Sequence, residues 1–303
     1  MRILFAGTPN IAAIVLKELA KQHEIAMVIT RQDSAVGRKR IITPSDVAIA
    51  AQELSIPILK SNKIGSDELQ RIQSANVDVA VVVAYGSLIP TNALNLFPWW
   101  NLHFSVLPAW RGATPLQHSL IHKSGQGISL FQLESTLDTG PILESLEVDL
   151  PEDKSAGEIM VDLALAGTKM ILRNLAEPRE PRPQTGSPTF APKISRANAR
   201  LDFKETSLLL QRKIHAFNPE PVAWCKAGEG DLRVLRAAAI GSVDWNSLAD
   251  KKLSLGEIEI SNGKVLVSCG SGSLLELLEV QPAGGKPMLA ADWYRGYSGK
   301  NLE

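Results

Sequence analysis

Asn101 and His103 are one residue apart in the run 100–117, WNLHFSVLPAWRGATPLQ. On an extended strand that spacing sends both side chains to the same face. An amide beside an imidazole suits a carbonyl centre under attack. The amide hydrogen-bonds the oxygen as charge develops, and the imidazole supplies a proton or a hydrogen bond. An isolated N-x-H is more often an ordinary pair at a sheet end, so the surroundings must carry the case. Pro108, Gly112 and Pro115 follow closely and stiffen the loop. Further on, Leu137-Asp138-Thr139-Gly140 has the composition of a turn. A carboxylate there that reached His103 would hold its tautomer and raise its pKa, making the charged form available.

These residues need a frame, and the first half of the chain supplies one. Residues 2–6 (RILFA), 24–30 (EIAMVIT) and 77–84 (VDVAVVVA) read as buried strands. Helical spacing fills 10–21, and Pro44 opens a further helical stretch, PSDVAIAAQEL. Strand alternating with helix predicts right-handed crossovers and a doubly wound, mostly parallel sheet. Ligands of such sheets sit at the carboxyl ends of the strands. That places the expected site at the loops after Ala6, Thr30 and Ala84 and around Asn101.

Near residue 177 the character changes. Pro178, Pro181, Pro183, Pro188 and Pro192 fall within 177–192, which predicts an extended, stiff connector. Domains are therefore expected at 1–176 and 201–303, joined by a basic, proline-rich linker at 177–200. Beyond the linker, 205–217 reads as an amphipathic helix stopped by Asn218-Pro219. Short strands are expected at 222–226, 232–240, 256–260, 264–269 and 274–280, with a hairpin turn at Ser261-Asn262-Gly263. Five short strands point to a small OB-like β-barrel.

Composition excludes several classes. The 303 residues carry 32 basic and 32 acidic side chains, so the chain is not a general polycation for nucleic acid. RNA contact would have to come from local patches. One is the run Arg38, Lys39 and Arg40, in a loop at the expected site. Another is the linker, where 173–200 holds six basic residues against two acidic. Gly7-Thr8-Pro9-Asn10 lacks the second glycine of a dinucleotide-binding turn. Cys225 and Cys269 stand alone, which argues against a cysteine zinc site or disulfide framework and for a reducing, cytoplasmic compartment. The five histidines show no ligand spacing, so no metal is expected. No stretch is long enough to span a membrane. Trp99, Trp100 and Trp110 read as core or pocket wall.

Strings along the whole chain, in order, resemble the methionyl-tRNA formyltransferase family of formyltetrahydrofolate-dependent enzymes. They are ILFAGTPNIA, GRKRIITPS, AYGSLIP, NLHFSVLPAWRGATPLQ, LDTGP, HAFNPEPVAW and LLELLEVQPAGGKPM. The resemblance implies a Rossmann-like catalytic domain and transfer of the formyl group of 10-formyltetrahydrofolate to the α-amine of methionyl-initiator tRNA. It implies Asn101, His103 and Asp138 as the catalytic triplet. Val83, Ala84, Tyr85, Gly86, Ser87 and Leu88 would line the folate pocket, with Ser105, Val106, Leu107 and Pro108. Arg38, flanked by Lys39 and Arg40, would meet the tRNA acceptor end, and Pro9 and Asn10 the methionyl amine. Lys193 and Arg196 are expected to extend the RNA contact. The chain departs from the family's common pattern at Phe104, where glycine is frequent, and at Ala109, where arginine is. In this reading the family enzyme works as a bacterial, cytoplasmic monomer. The rivals are formyl transfer to a nucleotide-sugar or small ribonucleotide amine on the same first domain, and an RNA-binding protein without catalysis.

Overall fold

Seven short strands form the central sheet. Across it lie, in order, Ile142–Glu147, Gly127–Gln132, Trp99–His103, Val79–Val83, Arg2–Gly7, Glu24–Thr30 and Ile58–Lys60. The last five are mutually parallel. Gly127–Gln132 runs antiparallel to Trp99–His103, and Ile142–Glu147 antiparallel to Gly127–Gln132. The computed structural model thus has the mostly parallel sheet that the alternation of strand and helix predicts. It describes residues 1–37, 39–240 and 253–303.

Strand order reverses between Arg2–Gly7 and Val79–Val83, which opens a crevice at their carboxyl ends. Every residue of Val79–Val83 is buried, as befits a strand covered on both faces. Gly7 is required at the crevice. A Cβ there would lie 2.6 Å from the Ala12 Cβ and 2.9 Å from the Val83 carbonyl oxygen. The helix expected from Pro44 begins two residues later, at Asp46, because Ser45 is the cap and accepts the Ala48 N–H at 3.0 Å. The long helix Ala156–Ala176 brings Gly167 onto Leu102, where a Cβ would sit 2.4 Å from the leucine Cδ2.

The chain divides into two units. One comprises Met1–Pro115, Gly125–Asp149 and Met160–Ala191; the other comprises Leu116–Ser124, Leu150–Ile159 and Pro192–Glu303. Most of the proline-dense run is thus part of the first unit rather than a free connector. Arg182 and Ile142 exchange backbone hydrogen bonds of 2.7 and 2.8 Å, and Phe190–Ala191 pairs in parallel with Arg111–Gly112. Proline lacks a donor, but the residues between the prolines keep theirs, and these make the pairing.

In the second unit an antiparallel sheet runs Trp224–Ala227, Gly230–Ala239, Leu274–Pro282, Lys264–Ser268, Ile258–Ser261. The helix Ser207–Ala216, capped by Thr206, packs on Gly230–Ala239. The sheet curls into a half-barrel whose first and last strands do not pair with each other. Residues 300–303 bridge that gap. Lys226 and Glu303 exchange backbone bonds on one side, while Ile258 donates to Lys300 and Leu302 donates to Gly256 on the other. The OB-like barrel expected from five short strands is therefore completed by a segment with no strand signal of its own.

Candidate active site

The strand Trp99–His103 sorts its residues by face. Trp99 is fully buried in the core between the sheet and its helices, and its indole N–H donates to the Ala93 carbonyl at 2.9 Å. Leu102 points the other way, onto Gly167. Asn101 and His103 therefore share the Trp99 face at the strand's carboxyl end. Asn101 is half-buried and lies between Val82 and Phe131 on the neighbouring strands. His103 is 4% exposed and stands edge-on to the Phe131 ring, with centroids 6.2 Å apart.

Both ring nitrogens of His103 have defined neighbours. Nε2 lies 3.0 Å from the Trp110 carbonyl oxygen, which can only accept, so Nε2 carries a hydrogen. Nδ1 is left facing Asp138, 3.9 Å from its Oδ2. That separation is too long for a direct hydrogen bond but close enough for strong charge coupling in a buried site. Asp138 is itself buried, sits at φ 53°, and accepts the Gly112 N–H on the same Oδ2 at 2.8 Å. Gly112, at φ 132°, admits no side chain, because a Cβ would meet the Ala191 carbonyl oxygen at 2.5 Å. Burial pushes the His103 pKa down. The Asp138 charge and the Trp110 carbonyl push it up, but they do not outweigh desolvation. The expectation that the carboxylate holds His103 in its charged form is therefore corrected in direction: burial outweighs the carboxylate and favours the neutral imidazole.

The expected folate-lining residues form two loops beside this pair. Val83 ends its strand, and Ala84 and Gly86 turn the chain at φ 48° and 78°. The Tyr85 ring is buried in the core and its hydroxyl donates to the Ser61 carbonyl at 2.8 Å. The loop is thus anchored from beneath, while Leu88 is 75% exposed. The Ser87 hydroxyl donates to the Asn62 carbonyl at 2.8 Å. In the second loop the Ser105 hydroxyl donates to the Ala109 carbonyl at 2.6 Å. Ser129 Oγ links the Leu107 N–H, at 3.0 Å, to the Ser105 carbonyl, at 2.9 Å. The Val106 N–H donates to Gly125 at 3.0 Å, and Pro108 accepts the Thr189 N–H at 3.3 Å.

Thr8 ties the switch-point crevice together by donating from Oγ1 to the Tyr85 carbonyl at 2.8 Å. Pro9 is the N-cap position of the Asn10–Leu19 helix, so Asn10 stands exposed beside the crevice. The sequence predicts a loop for the basic run, but the chain flanking it is a hairpin, Ser34–Val36 with Ile41–Thr43. Its exposed tip carries Lys39 and Arg40, and Arg38 lies outside the described residues. Lys193 and Arg196 belong to the other unit. There Lys193 is exposed, and Arg196 pairs with Asp231 at 2.5 Å with its guanidinium 4.8 Å above the Trp224 ring.

Sequence reasoning missed four residues that brace the site. Arg31 donates to Asn62 Oδ1 and the Gly86 carbonyl, fastening the loop after Val83. Arg111, Gln184 and Thr189 join the Pro-rich run to the loops around His103 and Asp138. Only the lone arginine after Thr30 and the amide within a proline-rich stretch could have marked them, and neither is a pattern. Among the described residues no group of three or more His, Cys, Asp or Glu could hold a metal ion, and no helix is long and apolar enough to cross a membrane.

A Rossmann-like sheet with an amide, an imidazole and a carboxylate at its carboxyl edge suits group transfer at a carbonyl carbon in an α/β protein. Residues 1–175 match the model of the formyl transferase family, and 193–298 match that of the formyl transferase C-terminal domain. A methionyl-tRNA formyltransferase from Leifsonia xyli is 39% identical over 310 residues, covering 99% of each chain. The chain belongs to the methionyl-tRNA formyltransferase family. Solved structures share its fold. An N-formyltransferase from Helicobacter canadensis in complex with folinic acid and dTDP-3-aminofucose covers 91% of this chain and 98% of its own at TM-score 0.63 and 17% identity. A methionyl-tRNA formyltransferase from Clostridium thermocellum covers 78% and 93% at TM-score 0.57 and 20% identity.

Proposed function

We propose that the chain transfers the formyl group of 10-formyltetrahydrofolate to the α-amino group of methionyl-initiator tRNA, and that Asn101, His103 and Asp138 carry the reaction. The observation that carries the roles is the buried His103–Asp138 pair at 3.9 Å, on the strand face that also presents Asn101. Full-length identity to a methionyl-tRNA formyltransferase supports the acceptor.

The folate supplies an activated formyl group on nitrogen. The flat ring system of that donor needs backbone polar groups and an apolar wall. The turns at Ala84 and Gly86, exposed Leu88 and the 105–108 loop offer both. Asn101 stabilises the negative charge that develops on the formyl oxygen as the amine attacks. His103 starts neutral, so it acts first as a base: Nδ1 takes the proton that the attacking amine releases. Asp138 then stabilises the imidazolium so formed. His103 returns the proton to the departing folate nitrogen, so the amine loses one proton and the donor gains one. The Trp110 carbonyl keeps Nε2 protonated and the ring in register throughout.

RNA contact is assigned to the basic run Arg38, Lys39 and Arg40 and to Lys193 and Arg196, with Pro9 and Asn10 beside the methionyl amine. In this reading the catalytic domain expected at 1–176 takes in the proline-rich run as far as Ala191, and 201–303 is an RNA-assisting domain. The protein works as a monomer in the bacterial cytoplasm. Its two free thiols are buried and held up to about 12 by desolvation, which suits a chain with no disulfide role.

The deciding assay offers 10-formyltetrahydrofolate with methionyl-tRNA, and in parallel with an aminodeoxy nucleotide sugar. Formyl-methionyl-tRNA is the expected product. Binding of tRNA without turnover would leave only an RNA-binding protein, and formylation of the sugar alone would move the acceptor.

A further inference from the structure

Asp138 is held at both ends of the residue, and only one of the two holds involves its carboxylate. Gly112 N–H donates to Oδ2 at 2.8 Å, and the Asp138 backbone carbonyl accepts Gln184 Nε2 at 2.8 Å. The same Nε2 donates to the Gly140 carbonyl, also at 2.8 Å. Gln184 Oε1 accepts from Arg111 Nε at 3.2 Å and Nη2 at 2.6 Å. All four hydrogen bonds agree on one orientation of the amide. Reversing it would set oxygen against two carbonyls and N–H groups against a guanidinium.

The backbone around Gln184 is fixed before and after. Arg182 is bridged to Ile142, and Phe190–Ala191 pairs with Arg111–Gly112. Asp138 needs such support. It occupies φ 53°, a left-handed conformation that a residue with a Cβ adopts at a cost and keeps only when its neighbours over-determine it. Gly140, two residues on, is pressed so close to its strand that a Cβ would lie 1.8 Å from the Gln132 carbonyl oxygen, so the turn cannot relax on that side.

We infer that Gln184 is a positioning residue for the reaction: its amide clamps the 138–140 turn and thereby sets the Asp138 carboxylate against His103 Nδ1. The clamp comes from the proline-rich run, which the sequence suggests only as a connector. The inference rests on the proposed roles of His103 and Asp138, but what it asserts is a placement that can be measured apart from turnover. Asp138 is the charged group that acts on His103, so the titration of His103 reports where that carboxylate stands.

Two variants of the full-length protein test it. Gln184→Met keeps the volume and removes all four hydrogen bonds. Gln184→Glu keeps an acceptor for Arg111 but cannot donate to the Asp138 and Gly140 carbonyls. His103 is followed by NMR in protein labelled at histidine, with its resonance assigned from a His103→Gln spectrum. In Gln184→Met the His103 pKa is expected to fall, because the raising influence of the carboxylate weakens. In both variants kcat is expected to fall about 10- to 100-fold, with KM for either substrate changed less than about threefold, the scale on which misplacement by about 1 Å acts.

An unchanged or raised His103 pKa together with wild-type kcat in Gln184→Met overturns the inference. If that variant does not fold, an unchanged His103 pKa together with wild-type kcat in Gln184→Glu overturns it equally. A lowered pKa with unchanged kcat supports the placement and sinks the catalytic reading of the pair instead. Full turnover in His103→Ala would sink that reading independently.

Discussion

Asp138 Oδ2 accepts the Gly112 N–H at 2.8 Å while standing 3.9 Å from His103 Nδ1. The carboxylate is therefore anchored by backbone and only overlooks the imidazole. A direct hydrogen bond between the two would raise the imidazole pKa further and fix the hydrogen on Nδ1. Here burial outweighs the carboxylate and favours the neutral ring, which can accept a proton with the compensating charge already fixed nearby. The work of orienting the ring falls to the Trp110 carbonyl on the opposite nitrogen.

In the proposed mechanism, removing the Asn101 amide should be costly in turnover and cheap in binding. Asn101→Ala is expected to lower kcat roughly 100- to 1,000-fold, the usual loss for one oxyanion donor. His103→Ala should lower it by orders of magnitude while tRNA affinity stays near wild type. Steady-state kinetics beside a filter-binding titration checks both. A variant that lost tRNA binding in proportion to turnover would place these residues in the substrate interface instead.

The depressed His103 pKa gives a signed pH prediction. In the proposed mechanism the neutral form is the active base, so kcat/KM should fall on the acid side with an inflection below the ordinary histidine value of about 6.5. Asp138→Asn removes a raising influence and should move that inflection further down while lowering the maximum. The same shift couples to stability. The unfolded chain protonates this histidine more readily than the folded one does. Stability is therefore fully present above about pH 6.5 and is lost as pH falls from there through the folded pKa. His103→Gln should flatten that part of the denaturation profile. A flat profile in the wild-type protein would contradict the buried, neutral imidazole.

What could be read in the sequence divides along physical lines. Alternation along a strand is a local rule, so the common face of Asn101 and His103 followed from their numbering alone. The sheet followed from runs such as 79–83, whose apolar, β-branched character is also local. Asp138 was legible only through resemblance, because a turn aspartate has no signature beyond its turn. Gln184 was not legible. Its four hydrogen bonds join residues 44–73 positions away, and nothing in a proline-rich run marks one amide from another. The direction of the His103 shift was missed for a related reason. A neighbouring carboxylate can be guessed from sequence, whereas the desolvation that outweighs it depends on the packing of the whole site.

Charge at the start of the second unit should be felt through salt. Lys193 is exposed, and Arg196 is partly neutralised by Asp231. Lys193→Glu is therefore the cleaner reversal, with Arg196→Glu as its companion. Each phosphate that the variant no longer neutralises should reduce the slope of log K against log salt by about 0.7–0.9, alongside weaker binding at low salt. Measured tRNA affinities from low to high salt decide this. Unchanged affinity and slope in both variants would remove the segment from the RNA-binding surface.

Closure of the half-barrel by residues 300–303 predicts unequal effects at two glycines of the same backbone type. Gly256 and Gly263 both have φ 77°. At Gly263 an added Cβ meets nothing within 4 Å, so Gly263→Ala should cost only the left-handed strain, about 1–2 kcal/mol. At Gly256 the Cβ would lie 2.2 Å from the Leu302 carbonyl oxygen, where the 300–303 segment docks. Backbone cannot yield there without breaking the Leu302-to-Gly256 bond, so Gly256→Ala should be clearly the more destabilising of the two. Denaturant titrations of both variants give the comparison directly. If the two losses were equal, residues 300–303 would not be closing the sheet, and the second unit would be an open half-barrel.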